Sequence, residues 1–204
     1  MKQNIICPCG GNFPVEIEEE FDLDVNPEHI ENICSGTFLS FICPVCGKKH
    51  KPEFKIMVVW KSKNIRFEIL PELDRGEFYR KKKDKSSVET IIGYPEMSER
   101  IAVIKDDLVP IIIETLKYYL LVKAEEEFPD RKINAWYYCK EPSVIEFHLD
   151  GIKSGEVAVM KVPMDVYEKT CEKYRKHPKN EIFTSLRINS YISVQNILRP
   201  DALK

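Results

Sequence analysis

Apolar and polar residues alternate through residues 12–23, with Phe13, Val15 and Ile17 set against Glu16 and Glu18, the period-two pattern of a strand with one wet face. The period then changes. Asn26 offers a helix cap, Pro27 suits a first helical position and Glu28 a first turn, and Ile30, Ile33 and Cys34 form one apolar stripe before Gly36 stops it. Strand signals return over residues 37–42. They recur over 53–60 and 64–70, two runs of β-branched and aromatic residues that Lys61-Ser62-Lys63 joins into a predicted hairpin.

Residues 72–87 are charged and predict a short helix running into a connection. A helix opens at Tyr94, and a longer one covers about residues 108–127, with Asp107 as its expected N-cap, Pro110 tolerated in the first turn and Pro129 closing it. Three strand-like runs follow at 132–139, 144–149 and 156–162, with turns at Glu141-Pro142-Ser143 and at Gly151 to Gly155, an antiparallel meander. Residues 165–176 read as an amphipathic helix, and 182–198 alternate too loosely to assign. The fold class is therefore α+β. Residues 1–73 are expected to form an N-terminal β-rich unit with an inserted helix, and 74–93 a charged connection. Residues 94–204 hold two central helices and a C-terminal antiparallel sheet plus helix, either separate or packed with the first unit as one domain.

The chain has 204 residues, 43% of them apolar, enough for a real core. Its formal net charge of −2 gives no general attraction to nucleic acid or membrane. The distribution is uneven: residues 1–47 carry net −7 and residues 48–89 net +6, the latter including Arg80, Lys81, Lys82 and Lys83 in a row. That run is expected to be a hydrated loop, and nucleic-acid binding is not expected. The most apolar stretch, 108–122, is interrupted by Glu114 and Lys117, so no membrane span is predicted. Met1-Lys2-Gln3-Asn4 leads straight to Ile5 and Ile6 without the apolar core of a secretion signal. The expected location is cytoplasmic, where thiols stay reduced and favour metal over disulfides.

Cysteine carries the chemistry. Cys7 and Cys9 lie in Cys-Pro-Cys-Gly, Cys43 and Cys46 in Cys-Pro-Val-Cys-Gly, and thirty-three residues separate the pairs. Two such turns build a tetrahedral thiolate cage for structural Zn2+, so the N-terminal unit, residues 1–73, is expected to be zinc-ribbon-like. In the second turn proline tightens the chain, two backbone N–H groups can point at the first sulfur, and glycine follows where the chain must leave. The first turn is one residue shorter; were it to bind through one thiol only, His50 or Cys34 would be the reserve ligand. Cys139 and Cys171 are expected to be packed structural thiols. Thiol–disulfide exchange is disfavoured because Gly47-Lys48-Lys49-His50-Lys51-Pro52 is no helix start after Cys46. Hydrolytic zinc is disfavoured because His29, His148 and His177 form no spaced pair.

The order Cys-Pro-Cys-Gly, Phe13 and Val15, Val25-Asn26-Pro27-Glu28, Gly36-Thr37-Phe38 and Cys43-Pro44-Val45-Cys46-Gly47 resembles the CpXC domain family. The resemblance continues through Ser98-Glu99-Arg100-Ile101, Asp106-Asp107 and Ile113-Glu114-Thr115-Leu116-Lys117, over roughly residues 3–125. It implies a prokaryotic domain with a zinc ribbon and no assigned reaction. The expected function is a non-catalytic protein-interaction or regulatory module rather than an enzyme. The alternative is an enzyme of unspecified reaction, using Asp107, Glu114 and Lys117 near the central helix with aromatic walls from Trp136, Tyr137 and Tyr138.

Overall fold

The computed structural model describes residues 1–80 and 88–198 and has the expected α+β class. The chain divides into two compact units, Met1–Ser98 and Glu99–Lys204.

In the first unit β1 (Lys2–Ile6) and β2 (Asn12–Glu16) form an antiparallel hairpin with Ile6 opposite Asn12, burying Ile5 and Val15. The alternation through residues 12–23 predicted one strand, but it breaks after Glu16 and resumes as β3 (Glu20–Asp22). The cause is a change of partner. The Ile17 N–H donates back to the Met1 carbonyl, whereas Met57 N–H donates to the Glu19 carbonyl and β3 runs parallel to β6 (Ile56–Trp60). One amphipathic segment thus serves two sheets, with Ile17 and Phe21 buried on either side of the handover.

Helix α1 (Glu28–Cys34) buries Ile33 and ends before Gly36, as its stripe predicts. Its cap position is Pro27 and has no side-chain bond; Asn26 contributes its carbonyl, which accepts from His29 N–H. The strand expected over 37–42 shrinks to β4 (Phe41–Ile42), because Thr37 and Phe38 both donate back to the Asn32 carbonyl. It pairs with β5 (Lys49–His50), Ile42 opposite Lys49. The predicted hairpin is β6 with β7 (Ile65–Leu70), joined through a tight turn over Lys61–Lys63 that Asn64 leaves in the left-handed region. After α2 (Arg75–Arg80), β8 (Glu89–Ile92) lies parallel to β7, giving the order β3-β6-β7-β8. Glu53 holds the starts of two helical segments: one oxygen accepts from Tyr94 N–H at 2.8 Å and the other from Glu72 N–H at 2.6 Å.

Helix α3 (Tyr94–Lys105) carries the chain across the division. Asp107 was expected to cap the next helix. It closes α3 instead: with φ 55° it is the left-handed residue of the C-terminal turn, and Leu108 N–H reaches back to the Val103 carbonyl at 3.0 Å. Helix α4 (Pro110–Glu127) begins after Val109, which makes no side-chain cap. The second unit's core packs Ile111, Ile112, Leu116 and Leu121 of α4 with Ile145, Phe147 and Leu149 of the sheet. That sheet is the expected meander, β9 (Asn134–Lys140), β10 (Val144–Asp150) and β11 (Ala158–Pro163), in order β11-β10-β9. Helix α5 (Met164–Lys176) follows as predicted. The unassigned tail is α6 (Glu181–Ser185), the small hairpin β12 (Arg187–Ile188) and β13 (Tyr191–Ile192), and α7 (Gln195–Leu198). Among the described residues no helix is long and apolar enough to cross a membrane.

Candidate metal centre

Each cysteine pair sits in the turn of a hairpin: residues 7–11 connect β1 to β2, and residues 43–48 connect β4 to β5. The two turns are the same device built with one residue's difference. In the second, Gly47 N–H donates to the Cys43 carbonyl and Cys43 N–H to the Lys48 carbonyl, both at 2.9 Å. In the first, Gly10 N–H donates to the Cys7 carbonyl and Cys7 N–H to the Gly11 carbonyl, at 2.9 and 2.8 Å. In both, the glycine after the second cysteine has positive φ, 88° at Gly10 and 71° at Gly47, where a Cβ would be strained. The shorter turn closes one residue sooner and still delivers both thiols to the same side.

The sulfurs converge across the turns. Cys7 Sγ lies 3.6 Å from Cys46 Sγ and Cys9 Sγ 3.7 Å from Cys43 Sγ, and all four lie within 4.8 Å of one another. A tetrahedral ion with metal–sulfur bonds of about 2.3 Å would hold its sulfurs about 3.8 Å apart; a disulfide would need about 2 Å. Cys7 and Cys43 are buried, Cys9 and Cys46 exposed, so the cluster has an inner and an outer edge. Gly11 forms its wall: a Cβ there would come within 3.1 Å of Cys43 Sγ and 3.4 Å of Cys9 Sγ. Backbone donors divide the pair of buried thiols. The N–H groups of Cys46 and Val45 hold Cys43 down to about 7 against the cost of burial, with Cys7 and Cys9 assisting. At Cys7 the Cys9 N–H pulls down, but burial together with the facing sulfurs of Cys9, Cys46 and Cys43 pushes it up to about 12. Four soft, close-set sulfurs that cannot all ionise alone are the donor set a divalent cation would neutralise, so the cluster is compatible with a metal ion.

Neither reserve ligand belongs to this cluster. His50 lies on β5 with its ring 6.2 Å from that of Phe13, and Cys34 ends α1, its carbonyl accepting from Ser98 Oγ. Of the alternative trio, Glu114 and Lys117 come together but Asp107 is exposed in its turn. The third member is Glu99 on α3. Lys117 Nζ donates to Glu99 Oε2 at 2.6 Å and Glu114 Oε1 at 3.1 Å, and lies 5.6 Å from the Trp136 ring centre. The remaining oxygens accept backbone N–H groups, Glu99 from Tyr137 at 2.6 Å and Glu114 from Val194 at 2.7 Å. All three side chains are at most 6% exposed. This trio is a satisfied buried network that ties α3, α4, β9 and the C-terminal segment together. Tyr137 points its hydroxyl at Asp106, whereas Tyr138 is exposed and stacks on His148. Glu99 was not singled out by the sequence, because α3 also carries Glu96, Arg100 and Lys105 and nothing in that pattern marks which charge is buried; Met97, Ile101, Val103 and Ile104 enclose the helix on the sides where Glu99 finds its partner. The basic run leaves the described residues after Arg80, which ends α2.

Fold and cluster together define an α+β protein with two cysteine turns closing on one metal-type site. The chain belongs to the CpXC family: residues 5–117 match the family described as CpXC protein. It is 30% identical over 212 residues to an uncharacterized protein of Treponema pallidum (strain Nichols), covering 94% of this chain and 96% of that one. No solved structure matches the chain.

Proposed function

We propose that Cys7, Cys9, Cys43 and Cys46 ligate one structural Zn2+ ion, and that the protein is a non-catalytic interaction module that engages a protein partner through this ribbon in the cytoplasm. The observation that carries the reading is the pair of cross-turn sulfur distances, 3.6 and 3.7 Å, close to the edge of a zinc tetrathiolate. Four protein ligands leave zinc no open position for chemistry, which is why the role is structural. Partner binding is supported by Ile6, Ile42 and Val45, 77%, 68% and 70% exposed, each beside or between ligand cysteines. The cytoplasmic assignment follows from the need to keep thiolates reduced.

Elemental analysis of the protein purified from its own host under mild conditions is expected to give one zinc per chain, and the double variant Cys43→Ser/Cys46→Ser none. Metal-free wild type that is folded, or zinc retained by the variant, would end the metal half of the reading. An Ile6→Asp/Ile42→Asp variant should keep its zinc and lose any protein that co-purifies stoichiometrically with the wild type; retention of that protein would end the interaction half.

A further inference from the structure

We infer that the outer face of the β9-β10-β11 sheet carries a second, exchangeable site for a divalent transition metal, formed by Cys139, Glu141 and Glu146 with His148 beside them. The three ligand atoms, one sulfur and two carboxylate oxygens, lie within 4.8 Å of one another. His148 Nε2 is 3.0 Å from Glu146 Oε1, and its ring is held by stacking on Tyr138 at 3.9 Å between ring centres.

The arrangement depends on an irregularity of register. Trp136 faces His148 and Tyr137 faces Phe147, but the next cross-strand pair is Cys139 with Glu146, so Tyr138 is an extra residue in β9. Without that bulge, alternation from buried Ala135 and Tyr137 would turn Cys139 inward. With it, the thiol stands on the outer face directly opposite Glu146, and Glu141 reaches the same place from the turn, where its N–H donates to the Val144 carbonyl. Cys139, expected to be a packed core thiol, is instead half-buried among polar groups.

A mixed set of thiolate, carboxylate and neighbouring imidazole suits a borderline cation such as Zn2+ or Co2+ rather than Mg2+ or Ca2+. Three ligands leave a position for water or for His148, which separates this site from the closed four-cysteine cluster. A cation already favours the spot: Lys161, opposite Glu146 on β11, places Nζ 3.3 Å from Glu141 and 3.4 Å from Glu146. Lys161 is half exposed and can swing out as a metal enters.

The test is Co2+ titration of the full chain as purified, followed by absorption spectroscopy, with Cys139→Ser in parallel. Because the two proteins share the four-cysteine cluster, their difference isolates the second site whether or not that cluster is filled. Wild type is expected to bind one more Co2+ than Cys139→Ser and to show an additional sulfur-to-cobalt band. Glu146→Gln should weaken this uptake about tenfold or more, and Lys161→Met should strengthen it. Circular dichroism and the thermal transition verify that each variant is folded. Equal cobalt uptake and equal spectra for wild type and Cys139→Ser would overturn the site, as would uptake indifferent to both Glu146→Gln and Lys161→Met.

Discussion

Glu99 shows how one side chain can make stability depend on pH. Burial raises its pKa to about 7; the attraction of Lys117 opposes this, and the repulsion of Glu114 adds to it. The network holds two carboxylates against one ammonium, so its ionised form carries an uncompensated charge out of reach of water. The folded value lies above the ordinary 4.5, and the folded chain keeps a proton that the unfolded chain has released. This contribution is full below about pH 4.5, declines as pH rises towards 7, and is flat beyond, a change on the order of 3 kcal/mol. Urea unfolding of wild type and Glu99→Gln between pH 5 and 8 measures it. The variant should lose most of the slope over pH 5–7, and parallel profiles would reject the assignment.

Single turns constrain the elements in the same way. Between β10 and β11, Gly151 has φ 89°, and a Cβ there would lie 2.0 Å from the backbone oxygen of Lys132. Neither strain nor clash can be relieved by a side-chain rotation. Gly151→Ala is therefore expected to destabilise the second unit by roughly 3 kcal/mol, read as a fall in its denaturant midpoint, while Gly155→Ala, with φ 74° but open space around it, costs only the strain, about 1 kcal/mol. These elements also mark what the sequence discloses. The β6–β7 hairpin, the β9-β10-β11 meander and α5 were legible because each owes its pattern to local periodicity and to a near neighbour. The cysteine cluster was legible because ligand spacing is local even though the pairs meet from opposite ends of a long segment. The split of β2 from β3 was not, since it is set by pairing with distant β6. Asp107 misled because an acid before a helix and an acid ending the previous one look alike until Leu108 is seen bonding to Val103. The bulge at Tyr138 left no mark in the alternation at all.

The two compact units differ in what would hold them. The second has a continuous apolar core drawn from residues 103–194, with fully buried Ile112, Ile145, Phe147 and Leu186, and contains none of the four clustered cysteines. In the first unit, β1–β2 and β4–β5 are short hairpins, the second only two residues per strand, and isolated hairpins of that size are marginal in water. Their turns converge at the sulfurs, so under the zinc proposal the free energy of metal binding is also the free energy of ordering these hairpins. Chelation should then act regionally. Hydrogen exchange of the zinc-loaded protein before and after treatment with a strong chelator is expected to show protection lost in β1, β2, β4 and β5, with α4 and β9 to β11 retaining theirs. Loss of protection in both units at once would mean that the metal supports the entire chain as one cooperative body; unchanged protection in the hairpins would mean that they stand without it.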